Sequence, residues 1–255
     1  MITKIIMNGC NGHMGQTITR IVNESDNVDI VAGIDLRGDK LNHYPVFTDI
    51  DDCDVEADVI IDFSSADAID HLLDYCERTQ MPAVICTTGL SDEQVQRITE
   101  VAARTPMLRA ANMSLGINTL FKLLESAANV LAPAGFDMEI VEKHHNQKVD
   151  APSGTALALA DVLKATAGVD HYYVYDRSST REKRNKNEIG ISAVRGGTIV
   201  GEHEVIFAGE DEVITIKHTA YSKAVFAKGA VEAAVFLAGK DKGLYDMQDV
   251  IAARL

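Results

Sequence analysis

The chain has 255 residues, with 38 acidic and 24 basic side chains and a formal net charge of −14. This acidic balance argues against a general nucleic-acid or membrane-surface binder, and no apolar run is long enough to span a bilayer. The cysteines, Cys10, Cys53, Cys76 and Cys86, include no C-x-x-C pair, which is typical of reduced thiols in a cytoplasmic protein.

The first 112 residues alternate short apolar runs with helical patterns. The runs are rich in β-branched residues, as expected of strands whose two faces are both covered by helices. The predicted strands are Lys4–Met7, Val28–Ile34, Asp58–Asp62, Ala83–Cys86 and Met107–Ala110, and the predicted helices are His13–Glu24, Ala66–Arg78 and Asp92–Arg104. Repeated β-α-β units predict an α/β fold with a Rossmann-like, doubly wound parallel sheet.

The pattern changes after Asn112. It predicts helices over Leu115–Leu131, from about Ser153 to Ala165 and over Lys223–Leu237, and strands over Asp137–His144, Ile189–Val194, Thr198–Phe207 and Glu212–His218. The charged segment Asp176–Glu188 has no periodicity and is predicted to form a mobile loop, and a short helical tail ends the chain. We expect a dinucleotide-binding domain over residues 1–113, to which the helices of 224–255 return, and an α+β domain with a mixed or antiparallel sheet over 114–223.

A glycine motif follows the first predicted strand and opens the first helix. Gly9, Gly12 and Gly15 stand three residues apart, which is a variant of the dinucleotide-binding fingerprint. The first glycine permits a tight turn, the second lets the backbone approach a pyrophosphate, and the third lets helix and strand pack closely. Asp35 ends the second strand, where a carboxylate can accept hydrogen bonds from a ribose. Its charge favours NAD, but Arg37 could pair with a 2′-phosphate, so NADPH stays open.

Two loops follow later strands, at the sheet edge where such folds bind ligands. Phe63-Ser64-Ser65 follows one strand and Thr87-Thr88-Gly89 follows the next. Their small hydroxyl and glycine residues permit close approach of a cofactor. Ordinary strand-to-helix turns explain either loop alone equally well.

The densest group of reactive side chains lies in residues 142–156 (EKHHNQKVDAPSGTA). Lys148 and the backbone N–H groups of Gly154 and Thr155 would form a receptor for a carboxylate at a helix start that Ser153 or Thr155 caps. A neighbouring histidine can donate a proton near neutral pH. An anion site beside a proton donor suggests a carboxylated substrate.

Three alternatives stay open for this cluster. Adjacent histidines on a strand point to opposite faces, so only one of His144 and His145 faces a substrate unless the strand has ended. His144, His145, His203 and His218 could bind a metal, but no pair has H-x-x-x-H spacing and no cysteine accompanies them, so no metal is expected. Lys148 could also be a solvated surface charge.

Together these motifs resemble the 4-hydroxy-tetrahydrodipicolinate reductase (dihydrodipicolinate reductase) family of lysine biosynthesis. The resemblance rests on GCNGHMG at 9–15, EKHHNQKVDAPSGTA at 142–156 and RGG-x-x-VGEH at 195–203, and it covers essentially the whole chain. It implies an oxidoreductase that uses NADH, NADPH or both to reduce 4-hydroxy-tetrahydrodipicolinate to tetrahydrodipicolinate. It also implies a homotetramer whose central sheets come from the second domain, which binds substrate, and a domain closure that brings cofactor and substrate together.

The resemblance assigns roles residue by residue. The pyrophosphate and ribose contacts would be Gly9, Cys10, Asn11, Gly12, His13, Met14 and Asp35. The residues bordering the nicotinamide would be Thr87, Thr88, Gly89, Ala110, Ala111, Asn112 and Met113. His144 matches the family's proton donor and Lys148 its second proton donor. The substrate contacts would be His145, Lys148, Ser153, Gly154 and Thr155.

Two positions depart from the family pattern. Leu36 directly follows the acidic ribose residue, where the family often has arginine, and this leaves the cofactor preference open. Lys223 stands in HTAYSKAVF, where the family often has arginine. A lysine can still neutralise a carboxylate but cannot form the planar fork of a guanidinium.

Two rival functions are compatible with parts of the sequence. A non-enzymatic NAD(H)-sensing or ligand-binding protein needs the glycine motif but not the H-H-x-x-K cluster. A semialdehyde dehydrogenase needs a nucleophilic cysteine in its second domain, and no cysteine follows Cys86.

Overall fold

The computed structural model describes residues 2–110, 112–168 and 170–254. The chain divides into two compact units. The first comprises Met1–Leu115 and Ala224–Leu255, and the second comprises Gly116–Lys223. Within the described ranges, no helix combines the length and the apolar character needed to cross a bilayer.

The first unit is built on a seven-stranded sheet in which all neighbouring strands are parallel. Its strands are β1 (Thr3–Asn8), β2 (Val28–Ile34), β3 (Val46–Phe47), β4 (Val59–Asp62), β5 (Ala83–Ile85), β6 (Pro106–Arg109) and β12 (Gly243–Tyr245). The spatial order β12-β6-β5-β4-β1-β2-β3 reverses at β1, as in doubly wound nucleotide-binding folds. The predicted Rossmann-like sheet is confirmed.

Helices cover both faces of this sheet. They are α1 (His13–Asn23), α2 (Ile69–Thr79), α3 (Asp92–Ala102), α6 (Ala224–Leu237) and α7 (Met247–Ala252). Successive strand residues point to opposite faces. Ile5 and Met7 therefore share a core with residues of α1 and α6, whereas Ile6 shares a core with residues of α2 and α3. This burial on both faces explains why the strands read as continuous apolar runs.

The second unit contains a five-stranded mixed sheet. Its strands are β7 (Asp137–His144), β8 (Tyr172–Val174), β9 (Glu188–Arg195), β10 (Gly201–Ala208) and β11 (Val213–Ala220), and its helices are α4 (Leu115–Leu131) and α5 (Gly154–Ala167). The order is β11-β10-β7-β9-β8, with β7 parallel to β9 and antiparallel to β10. One sheet face packs with α4 and α5 around Leu124, Ile140 and Phe207. This arrangement confirms the predicted α+β character.

The chain end differs from its prediction. The sequence pattern predicts only a helical tail, and the structure adds β12 before α7, paired with β6. The helix predicted from Ala66 begins as a 3-10 turn over Ala66–Ala68 and becomes α-helical at Ile69. The strands β3 and β8 have two and three residues, which is too short for a periodic signal.

The charged segment before β9 forms a loop in which Arg177 and Arg184 are paired with carboxylates. Arg177 donates hydrogen bonds to Glu139 and Glu188, and Arg184 donates to Asp137 and Glu139. These ion pairs attach the loop to β7 and β9. The segment has no periodicity in the sequence, but two of its arginines therefore pair with acidic residues on neighbouring strands.

Candidate active site

The glycine turn joins β1 to α1, and its backbone leaves no room for side chains. Gly9 has φ +80°, and a Cβ there would lie 2.5 Å from the carbonyl oxygen of Phe63. A Cβ at Gly15 would lie 2.3 Å from the carbonyl oxygen of Gly9. Gly12 is the N-cap of α1, and no described side chain caps this end. The N–H groups of the first helical turn are therefore suited to binding a phosphate.

A cavity of about 600 Å³ opens beside the glycine turn. Asp35, Leu36 and Arg37, which follow β2, line it together with residues of the turn. The carboxylate of Asp35 accepts hydrogen bonds from the backbone N–H of Asn11 (3.0 Å) and of Arg37 (3.1 Å). These bonds hold an anionic acceptor at the cavity wall, as a ribose site requires.

The other residues of the motif differ in what they can offer a ligand. Cys10 is fully buried, and burial raises the pKa of its thiol to about 11, so only its backbone can contact a cofactor. The Asn11 amide donates to the carbonyl oxygens of Arg37 and Asp39. His13 is exposed and Met14 is half-buried.

Asp62, at the end of β4, is a candidate that the motifs do not reveal. Its buried carboxylate accepts hydrogen bonds from Asn8 Nδ2 (2.9 Å), Ser64 Oγ (2.6 Å) and Thr87 Oγ1 (2.7 Å). Burial raises the pKa of Asp62, and this effect outweighs the hydrogen bonds, which lower it. The side chain connects the ends of β1 and β4 with the loop after β5 and thereby positions two loops that the sequence predicts to border the cofactor. A polar residue ending the apolar run VIID is its local signal.

The predicted nicotinamide border lies on the loops after β5 and β6. Thr88 and Gly89 are exposed, and Gly89 has φ +77°. Ala110 and Asn112 are half-buried, and Met113 belongs to the core of the first unit. Ala111 lies outside the described residues. Their contacts with a nicotinamide stay predictions.

His144 ends β7 in the second unit and is nearly buried, with 9% of its surface exposed. Its Nδ1 lies 2.5 Å from Oε2 of Glu142, two residues earlier on the same face of the strand. His145 lies beyond the strand end and is half-buried. The alternation of a strand therefore does not force these two histidines to opposite sides.

The carboxylate of Glu142 is completely buried and fully hydrogen-bonded. Arg195, which ends β9, donates to each of its oxygens at 2.7 Å, and the N–H of Ser153 donates to Oε1 at 3.0 Å. Burial raises the pKa of Glu142, but the hydrogen bonds from Arg195, His144 and Ser153 outweigh it, so this pKa lies below its usual value. An ionised carboxylate is thus buried behind His144.

The N-terminus of α5 adjoins this network. Ser153 caps the helix, its Oγ accepting from the N–H of Ala156 at 3.2 Å, and the same Oγ lies 3.1 Å from Nε2 of His203. The polar groups of Ser153 are therefore engaged within the protein. Gly154 is exposed and Thr155 is half-buried at the helix start, where backbone N–H groups favour an anion.

His203 on β10 stacks edge-to-face with His144, with 5.1 Å between the ring centroids. Burial lowers the pKa of His203 to about 4, so its ring is neutral near pH 7. Its Nδ1 is buried and has no hydrogen-bond partner among the described residues. His203 ends the RGG-x-x-VGEH motif, but its contacts with His144 and Ser153 could not be predicted, because these neighbours come from β7 and the start of α5.

Lys148 lies in the loop after β7. Its Nζ is 2.8 Å from Oδ1 of Asp150, and 22% of its side chain is exposed. This ammonium group lowers the pKa of Asp150. Lys148 is therefore already paired with a carboxylate, and binding a substrate carboxylate requires it to share or exchange Asp150.

The metal alternative gains no geometric support. In the part of the chain that the structure describes, the group with metal-like spacing is Asp49, Asp51 and His71, and all three are exposed. Asp49 and His71 line the cavity of the first unit and form an ion pair. The histidines of the second unit are not part of this group.

Comparisons with known proteins give matches over nearly the whole chain. The family models "Dihydrodipicolinate reductase, N-terminus" and "Dihydrodipicolinate reductase, C-terminus" match residues 3–113 and 116–251. The 4-hydroxy-tetrahydrodipicolinate reductase of Clostridium novyi (strain NT) is 50% identical, covering 99% of this chain and 100% of that protein. The corresponding protein of Caldanaerobacter subterraneus is also 50% identical, with coverages of 98% and 99%.

A solved structure shows the same fold. The dipicolinate-bound dihydrodipicolinate reductase from Paenisporosarcina sp. TG-14 superposes with a TM-score of 0.82 at 25% identity, covering 98% of this chain and 99% of that one. The sequence matches span both units, and the resemblance predicted from the motifs is confirmed. The chain belongs to the dihydrodipicolinate reductase family.

Proposed function

We propose that the chain reduces 4-hydroxy-tetrahydrodipicolinate to tetrahydrodipicolinate with NADH or NADPH, a step of diaminopimelate and lysine biosynthesis. Family membership over nearly the whole chain supports this activity. The observation that carries the site assignment is the grouping of His144, on a buried carboxylate, with the N-terminus of α5. Together they offer a proton beside an anion site.

The first unit fits a nicotinamide dinucleotide. The cavity, the crowded glycines and the carboxylate of Asp35 match the needs of a pyrophosphate and a ribose. Residues 9–14 would bind the pyrophosphate, Asp35 the ribose, and residues 87–89 and 110–113 would border the nicotinamide. When bound, the dihydronicotinamide supplies a hydride. Leu36, 91% exposed on the cavity wall, offers no charge to a 2′-phosphate.

The second unit fits a cyclic dicarboxylate. Lys148 and the N–H groups of Gly154 and Thr155 would bind one carboxylate, with His145 and the Ser153 cap completing that region. His144 would donate the proton that completes reduction, with Lys148 as the second donor. These cationic and N–H groups would stabilise negative charge developing on the ring.

We also propose a homotetramer assembled through the sheet of the second unit. Lys143 and Lys217 each pair with Glu202 and Glu204, forming a charged ladder across β7, β10 and β11. On the edge strand β11, Val213 is 62% exposed, which leaves apolar surface for a partner chain. Light scattering after size-exclusion chromatography should give the mass of four chains, and a monomer mass would contradict this assembly.

A cytoplasmic location is consistent with the cysteines. All of them are free thiols and all are buried. Thiols persist in reducing compartments, where disulfides are rare. Localisation of a tagged chain by cell fractionation tests this directly.

Steady-state NADH oxidation tests the proposed activity. The unstable substrate would be generated in the assay from pyruvate and aspartate semialdehyde, and the absorbance of NADH followed with and without that supply. We expect oxidation that depends on the chain and on both precursors. Binding of NADH without its oxidation would instead support the non-enzymatic sensor.

A further inference from the structure

The buried ion pair between Glu142 and Arg195 lies directly beside His144, because Glu142 contacts both Arg195 and the His144 ring. Such pairs are costly to bury, and replacing them with apolar residues is often neutral or stabilising. Here four hydrogen bonds from three residues, His144, Ser153 and Arg195, converge on one carboxylate whose residue has 0% exposure. Arg195 is also fixed by donating to the carbonyl oxygen of Asp150 at 2.7 Å.

The network determines which nitrogen of His144 carries a proton. An ionised carboxylate can only accept hydrogen bonds, so Nδ1 of His144 must donate to Glu142. In the neutral ring Nε2 is then unprotonated, and in the charged ring Nε2 carries the transferable proton. Arg195 preserves this placement of the proton on Nδ1 of the neutral His144 ring, because it keeps Glu142 ionised.

The opposite edge of the His144 ring faces a glycine. A Cβ at Gly201 would lie 3.2 Å from Nε2 of His144. Within the described residues, Nε2 makes no hydrogen bond, so it is the nitrogen left for a ligand. The backbone also fixes the ring's position, since the N–H of Gly196 donates to the carbonyl oxygen of His144 at 2.9 Å.

We propose that Glu142, held by Arg195, is a positioning residue that fixes the tautomer and orientation of His144, so that Nε2 exchanges the proton with the substrate. This inference rests on the proposed function, in which His144 is the proton donor. Neither residue touches the substrate in this scheme. Both act through the imidazole.

Other charged or titratable groups surround His144 and belong in any pH analysis. His203 on β10 stacks on its ring, with His218 paired to it from β11. Lys148 and Asp150 lie in the loop that follows β7, and Arg195 approaches from β9. The experiments therefore measure the tautomer of His144 directly as well as the rate of turnover.

Nitrogen-15 NMR of histidine-labelled wild-type enzyme tests the tautomer without any variant. We expect the neutral His144 ring to carry its proton on Nδ1, with the resonance assigned by its loss in His144→Gln. A proton on Nε2 in the neutral ring would overturn the proposal. This result does not depend on turnover, so it stays informative even if the proposed reaction fails.

Glu142→Gln tests the positioning in turnover. We expect kcat to fall about 10- to 100-fold with little change in KM, as is typical when a supporting partner is removed. In a His144→Gln background the same change should have no further effect on kcat.

Glu139→Gln is the matched control. Glu139 lies on the same strand and is also bound by two arginines, Arg177 and Arg184, but it does not contact His144. It should leave kcat and the His144 resonances unchanged. A loss of kcat from Glu142→Gln that is as large in the His144→Gln background as in wild type, or His144 resonances that Glu142→Gln leaves unchanged, would contradict the positioning role. Arg195→Lys, which keeps the charge but loses the fork, should give the same loss of kcat in smaller measure.

Discussion

The candidate site of the first unit is formed mainly by backbone groups, whereas that of the second unit is formed mainly by side chains. The first uses backbone: a Cβ at Gly9 would collide with the carbonyl oxygen of Phe63 and a Cβ at Gly15 with that of Gly9, so glycine is needed for the turn to pack this closely. The second uses side chains: His144 is held by Glu142, which is held in turn by Arg195. The first site therefore depends on close contacts between backbone segments, and the second depends on buried, hydrogen-bonded charges. Substitutions should damage the two sites in different ways.

The largest effect is expected at the proton donor of the second unit. His144→Gln should lower kcat about 10²- to 10⁴-fold, because it removes a general acid. The affinity for NADH should change little, since all the proposed dinucleotide contacts lie in the first unit. Steady-state kinetics and NADH fluorescence titration check both parts. A variant that keeps more than half of its turnover would remove His144 from the mechanism.

The first unit should be most sensitive where a Cβ meets backbone. Gly9→Ala should weaken NADH binding at least about tenfold and destabilise the fold by about 1–3 kcal/mol more than Gly239→Ala. Both glycines have left-handed φ, +80° and +78°, but only at Gly9 would a Cβ approach another atom within 4 Å. Urea unfolding and titration with NADH measure the difference. Equal effects would show that the left-handed backbone conformation, not the contact with Phe63, sets the requirement for glycine.

The buried ring of His203 should make the free energy of unfolding fall at acidic pH. The pKa of His203 falls from the usual 6.5 to about 4 because the ring is buried. Its folded-state pKa is the lower one, so its contribution to stability is complete above pH 6.5 and is lost as the pH falls toward 4. Between pH 7 and pH 5 this amounts to about 2 kcal/mol of unfolding free energy. His203→Gln should remove that part of the loss, whereas wild type and variant should change alike between pH 8 and 9.

The smallest expected effect concerns cofactor choice. Asp35→Ala should raise kcat/KM for NADPH relative to NADH by about tenfold, because a charge that repels the 2′-phosphate is removed. Arg37→Ala, two residues away on the same cavity wall, should move the ratio the other way. Kinetics with both cofactors measure the ratio. A wild-type preference for NADPH above about tenfold would show that Asp35 is not the dominant determinant.

The same contrast explains how much the sequence could predict. The glycine turn and Asp35 are found from local spacing, because each glycine acts through its immediate neighbours in a β-α-β unit. Strands with several apolar residues were equally visible. The edge strands β3 and β12 were not, because two or three residues gain their structure only by pairing with β2 and β6.

Long-range partners limit prediction of the second site. His144 and Lys148 belong to a recognisable motif, but Arg195 lies 53 residues beyond Glu142 in the chain. Nothing in local periodicity links a glutamate on β7 to an arginine on β9. The role of Asp62 was hidden for the same reason, since Thr87 lies 25 residues away. Networks of this kind become visible only after the strands are paired.

The most direct test of the central proposal, that the first unit binds the cofactor and the second binds the substrate, is a crystal structure with NADH and pyridine-2,6-dicarboxylate bound together. We expect the dinucleotide on the glycine turn with Asp35 at its ribose, and the dicarboxylate on Lys148, Gly154 and Thr155 near His144. The nicotinamide C4 and the ring should approach to about 3.5 Å, the separation that transfer requires. A dicarboxylate bound away from His144, or two ligands that stay well apart, would contradict it.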